Sequence, residues 1–170
     1  MNNSPAIYVA SLSDYNEGRL HGEWIDATLD AEDIQAEIAD MLEASTIPNA
    51  EEWAIHDHEG FPVKLGEWES IEWISALGQA IEAHGADIVE AAVNHLGVDT
   101  PDDLRAAVND CAAHQSWDAA VESYAESSGL YELAAVHRGL VVDERGIRVM
   151  LEANGTYHEN RGGSVVEFFG

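Results

Sequence analysis

The chain has 170 residues and is 46% hydrophobic, enough for one ordinary domain or a few very small ones with some core, and unlike a disordered chain. Its 33 Asp and Glu stand against 7 Lys and Arg, a formal charge of −26. Such a chain repels nucleic acid and anionic membrane, attracts basic surfaces over long range, and carries self-repulsion that costs stability.

Cys111 is the only cysteine, so an intrachain disulfide is excluded and a reducing compartment fits. The first residues lack the basic-then-apolar pattern of a secretion signal, and no apolar run reaches membrane-spanning length. The expectation is a soluble, cytoplasmic protein without membrane contact.

In chain order, residues 6–11 and 19–26 read as short strands, joined by a segment with turn chemistry at Asn16 and Gly18. Residues 30–44 read as a helix: Ile34, Ile38 and Met41 recur at three- and four-residue spacing, and Asp30 stands where a cap belongs. Trp53 and Ile55 alternate with polar neighbours, which predicts a strand with one buried face. Residues 67–84 and 86–96 predict two helices stopped by Gly85 and Gly97. Thr100 and Pro101 open another, and Ser116 restarts a helix that ends at Gly129. Short helices over 131–138 and 143–152 and a closing strand pair, 155–159 with 164–169, complete the reading. The fold class is α+β: β–β–α–β, a helical middle and a mixed end.

The charge is not a tail. Residues 1–60, 61–110 and 111–170 carry −13, −8 and −5. On the helices the acids fall in rows. Asp30, Asp33, Glu37 and Asp40 follow one face, opposite the isoleucines. Glu69 with Glu72, Asp87 with Glu90, and Asp118, Glu122 and Glu126 repeat the spacing. Like charges so placed oppose helix formation by about 0.2–0.5 kcal/mol per pair. A sequence selected for stability alone would interleave Lys, yet Lys64 is the only one. Helical turns advance about 5.4 Å and DNA strands carry a phosphate about every 3.4 Å, so an acidic ridge is a looser row of comparable pitch. Plainer readings compete at about equal weight: a solvated helix face, acids at helix starts favoured by the macrodipole, or adaptation to salt.

Catalytic chemistry finds weak footing. His56 and His58 lie two apart, and on a regular strand both would face one side with nearby acids, a geometry that admits a metal-dependent hydrolase. No HExxH, calcium-loop or Cys-ligand pattern accompanies them. There is no nucleophile elbow, and Cys111 sits in a helical, apolar-looking context. No glycine loop offers to cradle a phosphate. Basic patches for binding nucleic acid directly are missing.

Tyr8, Ala10, Leu12, Tyr15, Asn16, Gly18, Leu20, Gly22 and Trp24 form the spaced pattern Tyr-x-Ala-x-Leu-x-x-Tyr-Asn-x-Gly-x-Leu-x-Gly-x-Trp. Ala54, Ile55, His56, Asp57 and Glu59 form a second block about thirty residues on. Together they resemble the N-terminal signature of ArdA-type antirestriction proteins, with His58 in place of the usual Tyr. Over residues 140–155 the chain departs from the acidic, tyrosine-rich segment common in that family, and Arg145 and Arg148 reduce the charge there.

The resemblance implies a DNA mimic of mobile elements, with no catalytic residue, metal or cofactor. Its acids would occupy the DNA groove of the modification complex of type I restriction–modification enzymes. It also implies an elongated chain of three small domains, here 1–62, 63–111 and 112–170, paired as a homodimer. Trp53 and Ile55 are then expected to face the first core, Asp57 and Glu59 to add surface charge, and His56 to hold a local turn by a hydrogen bond. Charge repulsion places the dimer contact in the least acidic third, which holds Val141, Val142, Val165, Val166, Phe168 and Phe169. The competing reading makes these residues the core of the last domain.

Overall fold

The structure is a computed structural model that describes residues 4–48 and 50–169. It is α+β. Two antiparallel three-stranded sheets, ordered β2-β1-β3 and β4-β6-β5, are separated in sequence by helices. The first unit comprises β1 (Ala6–Ser11), α1 (Leu12–Asn16), β2 (Gly22–Asp26), α2 (Ala31–Glu43) and β3 (Trp53–Glu59). Then follow α3 (Ile71–His84), α4 (Ala86–His95) and α5 (Pro101–Asn109). The chain closes with β4 (Cys111–His114), α6 (Trp117–Ser127), α7 (Leu130–Val136), α8 (Glu144–Asn154), β5 (Tyr157–Glu159) and β6 (Val165–Phe168).

The inner face of the first sheet buries Ile7, Val9, Ile25 and Ile55 against Ile34, Ile38 and Met41 of α2 and Ile71 and Ile74 of α3. Each such side chain contributes about 1.5–3 kcal/mol relative to exposure, ample to offset the like-charge repulsion on the outer side of α2. Asp30 occupies the cap position of α2, but its side chain makes no cap bond. Instead its Oδ1 accepts from Gln79 Nε2 of α3 at 2.9 Å. A second core joins α3, α4 and α5 to Val166 and Phe168, and a third joins α6 and α8 to Tyr157 and Val165. Strand β6 therefore serves two cores.

Gly78 is where α3 touches the chain between β2 and α2. A β-carbon there would run into the carbonyl of Ala27 and the amide of Thr28. Helix propensity favours Ala over Gly by about 1 kcal/mol, whereas forcing a helix away from an immovable backbone costs about 1–3 kcal/mol. Gly78→Ala is expected to be destabilising, seen as a lower midpoint of urea unfolding. An unchanged or raised midpoint would show that α3 does not press on this backbone.

The segment expected as a mere turn contains α1. Ser11 caps it, its Oγ accepting from the Asp14 amide. The Asp14 carboxylate is 2% exposed and accepts from the Ser45 hydroxyl at 2.6 Å. That bond holds its carboxyl below the ordinary range, against the opposing effect of burial; Ser11, His21 and Arg19 add to the lowering. Ser45 Oγ also accepts from the Ile47 amide at 3.0 Å. Arg19 donates to Thr46 Oγ1 at 2.7 Å, and the His21 ring to the Met41 carbonyl at 2.7 Å. The end of α2 thus fastens α1 and the following turn, which fixes Tyr15 and Asn16.

Strand β4 is also a departure. The region around Cys111 is extended and pairs with β6, Cys111 opposite Phe168 and His114 opposite Val165. The Cys111 thiol is half-buried, and burial, then Asp110, raises its pKa, the reverse of an activated nucleophile.

Candidate functional site

Most of the signature residues gather on the outer face of the first sheet and around α1, while Ile55 points into the core beneath. Tyr8 is opposite Trp24, their rings 5.5 Å apart and tilted. Gly22 leaves room for this: a β-carbon there would lie 2.9 Å from the Tyr8 ring. Tyr15 and Trp24 remain exposed, as do Asn16 and Leu20. Gly18 takes φ 76°, a left-handed turn conformation that suits glycine.

Strand β3 does not alternate regularly. Val9 pairs with Ile55 but Tyr8 pairs with Asp57, so His56 is an inserted bulge residue. Before the bulge the register is regular: Ala54, opposite Ala10, and Ile55, opposite Val9, are both buried, while Trp53 packs on the core's edge. Because of the bulge, His56 and Asp57 are exposed on the Tyr8 side, whereas His58, opposite Ile7, turns to the other side. The shared face expected for His56 and His58 does not form. His58 packs edge-on against Phe61, rings 5.9 Å apart, and its Nε2 accepts a long bond of 3.5 Å from the Leu65 amide. His56 meets the Tyr15 ring edge-on at 5.1 Å, and among the described residues its side chain makes no hydrogen bond of the kind expected to hold a turn. Asp57 accepts from the His58 amide, and Asp57 and Glu59 are exposed. Among the described residues no group of three or more His, Cys, Asp or Glu is arranged to hold a metal ion.

Replacing both His56 and His58 by Gln is therefore expected to leave nearly intact the inhibition that the family resemblance implies, with at most about 1 kcal/mol of stability lost through the His58 contacts. Inhibition assays paired with metal analysis of the purified protein check it. Loss of inhibition together with a stoichiometric metal, in a folded variant, would contradict it.

The acidic ridges of α2, α4 and α6 lie where the helical spacing puts them, but the expected pair of Glu69 with Glu72 does not share a helix, because α3 begins only at Ile71 and Glu69 precedes its cap, Ser70. Asp33, Glu37 and Asp40 face solvent on α2, opposite buried Ile34, Ile38 and Met41. Asp30, Glu72, Asp87, Asp118, Glu122 and Glu126 are exposed, while Glu69 and Glu90 are half-buried. The ion pairs among the described residues link Arg19 to Glu17, Arg105 to Asp102, Arg148 to Glu152 and His114 to Glu167. None of them neutralises a ridge acid.

Two clefts flank Trp68. One, of about 430 Å³, is lined by Leu12, Tyr15, Asn16, Ala54, His56 and Glu67. The other, of about 510 Å³, lies toward Trp53 and α3. Trp68 was not singled out by its sequence context; an indole among acids before a helix looks like part of that helix.

At the C-terminal end, Val165, Val166 and Phe168 are buried in the chain's own cores, as the competing reading has them, so a contact in the least acidic third would fall on other residues. Val141 is 86% exposed and Phe169 47%. An apolar groove of about 360 Å³ runs between the residues before α8 and α8 itself, lined by Leu130, Leu140, Val141, Val142, Ile147 and Met150. In the divergent 140–155 segment Arg148 is occupied: it donates to Glu152 at 2.8 Å and lies 5.2 Å over the Trp117 ring.

No helix among the described residues is long and apolar enough to cross a membrane. No curated protein matches the sequence. The family described as Antirestriction protein (ArdA) matches residues 7–161, almost the whole chain and both signature blocks, and the chain belongs to that family.

Proposed function

We propose that this antirestriction protein works as a charge mimic of duplex DNA. Its fixed carboxylates occupy the DNA-binding groove of the modification complex of a type I restriction–modification enzyme. The observation that carries this reading is the set of exposed acidic ridges without neutralising partners, on helices whose opposite faces are anchored in the core. DNA gains affinity from a basic groove by releasing condensed cations. Rigid carboxylates engage the same Lys and Arg but offer no bond to cleave, so inhibition is competitive and needs no catalytic residue or cofactor. The net charge of −26 equals that of about 44 Å of duplex at one charge per about 1.7 Å.

Three small units, 1–62, 63–111 and 112–170, would extend that surface; three core clusters are in keeping with this, although α3 serves the first and second cores and β6 the second and third. Two copies pair through the apolar groove beside α8, in the least acidic third. The reading places the protein in the cytoplasm of a cell that carries the mobile element encoding it.

The test is competition. Purified protein should displace a labelled duplex from a type I modification complex, with an apparent affinity that falls steeply as salt rises. Inhibition of cleavage without displacement would reject the reading.

A further inference from the structure

The cleft of about 510 Å³ beside Trp68 has a composition that charge mimicry alone does not require. Its walls include two indoles, Trp53 and Trp68, and four carboxylates, Glu51, Glu52, Glu69 and Glu72. Trp68 is 68% exposed, although burying an indole is among the larger apolar gains open to a chain. Glu69 accepts from the Gly66 amide at 3.2 Å and Glu72 from Gln35 at 3.4 Å, so both are oriented yet keep free lone pairs. Among the described residues, no ion pair engages any of the four.

A cation fits such walls, and its shape can be narrowed. An ammonium is compact and strongly hydrated. A guanidinium is flat, sheds water more readily, stacks on indole and reaches carboxylates through two N–H groups at once. The chain already contains this arrangement: the Arg148 guanidinium lies over Trp117 while bonded to Glu152.

We propose that the cleft seats one arginine side chain from the basic protein surface that this molecule engages. The inference rests on the mimic reading for its partner but adds a selectivity that rows of phosphates lack. Phosphates also accept two N–H bonds from one guanidinium, but they offer it no aromatic face, whereas the Trp68 cleft does.

The test uses fluorescent hexa-arginine and hexa-lysine peptides, titrated onto the full chain at moderate salt. The arginine peptide should bind about threefold or more tightly. Trp68→Ala, with its fold checked by circular dichroism, should bind both peptides equally. No arginine preference in the unaltered protein, or one that survives in the variant, overturns the proposal. DNA displacement from a modification complex, run beside it, separates the two ideas. Displacement without a Trp68-dependent preference rejects the cleft and keeps the mimic. The preference without displacement rejects the mimic and keeps the cleft as an arginine site.

Discussion

Changing Asp33, Glu37 and Asp40 together to Asn, Gln and Asn is expected to weaken binding to a modification complex and to flatten its salt dependence. The three side chains sit on one exposed ridge of α2 and make no ion pair among the described residues. If each stands in for a phosphate, each lost contact lowers the slope of log affinity against log salt by at most about 0.9, the value for B-DNA, so the triple variant loses up to about 2.7. Stability should change little, because the repulsion relieved at three- and four-residue spacing, about 0.2–0.5 kcal/mol per pair, is offset by the loss of Asp33 from the first turn of α2, where an acid is favoured. The affinity and its salt slope therefore fall without a loss of fold, which a merely solvated face does not produce. An enzyme would differ again, since losing surface charge leaves turnover intact while losing one catalytic carboxylate abolishes it. Competition titrations at several salt concentrations decide; superimposable curves for the variant and the unaltered chain would remove this ridge from the mimic surface.

That ridge was legible because its signals are local. The period of Ile34, Ile38 and Met41 places the buried face of α2, and the acids follow on the other side. Caps were equally local: Thr100 and Ser116 accept from the amides of Asp103 and Ala119 as their sequence positions suggest. The misses share a different cause. Helix α3 starts at Ile71, not 67, because Ser70 caps it while Glu69 turns back to the Gly66 amide. Helix α1 spans only Leu12–Asn16, too short for periodicity, and is held by Asp14, which sequence could not pick out among 33 acids. Strand β4 reads CAAH, which has little strand propensity; it is extended because β6 lies beside it, a contact made from more than fifty residues away. The bulge at His56 likewise depends on the register with β1, so the alternation of Trp53 and Ile55 misled about both histidines. Of the candidate site, the acids and the signature were readable. The clefts around Trp68 were not, because they arise where β3, α1 and the approach to α3 meet.

Introducing Val141→Asp with Met150→Asp is expected to convert a homodimer into monomers. Leu140, Val141 and Met150, which line the groove beside α8, are all at least 45% exposed. Large exposed apolar patches on soluble proteins mark contact sites, and here the surrounding charge is lowest, −5 over residues 111–170. Two chains of −26 would approach most readily at this end. In a two-fold interface every substitution acts twice, so the pair adds four buried carboxylates per dimer. At about 1 kcal/mol each, the low end for burying an unsatisfied polar group, the cost is about 4 kcal/mol, or about a thousandfold in dissociation constant. Neither side chain is buried within the chain, so each subunit should keep its thermal stability apart from what dimerisation contributes. Light scattering at micromolar concentration and moderate salt should give twice the chain mass for the unaltered protein and the chain mass, 18.5 kDa, for the variant. A strictly monomeric unaltered protein would remove the dimer from the proposal, and a variant that still dimerises would move the interface away from the α8 groove.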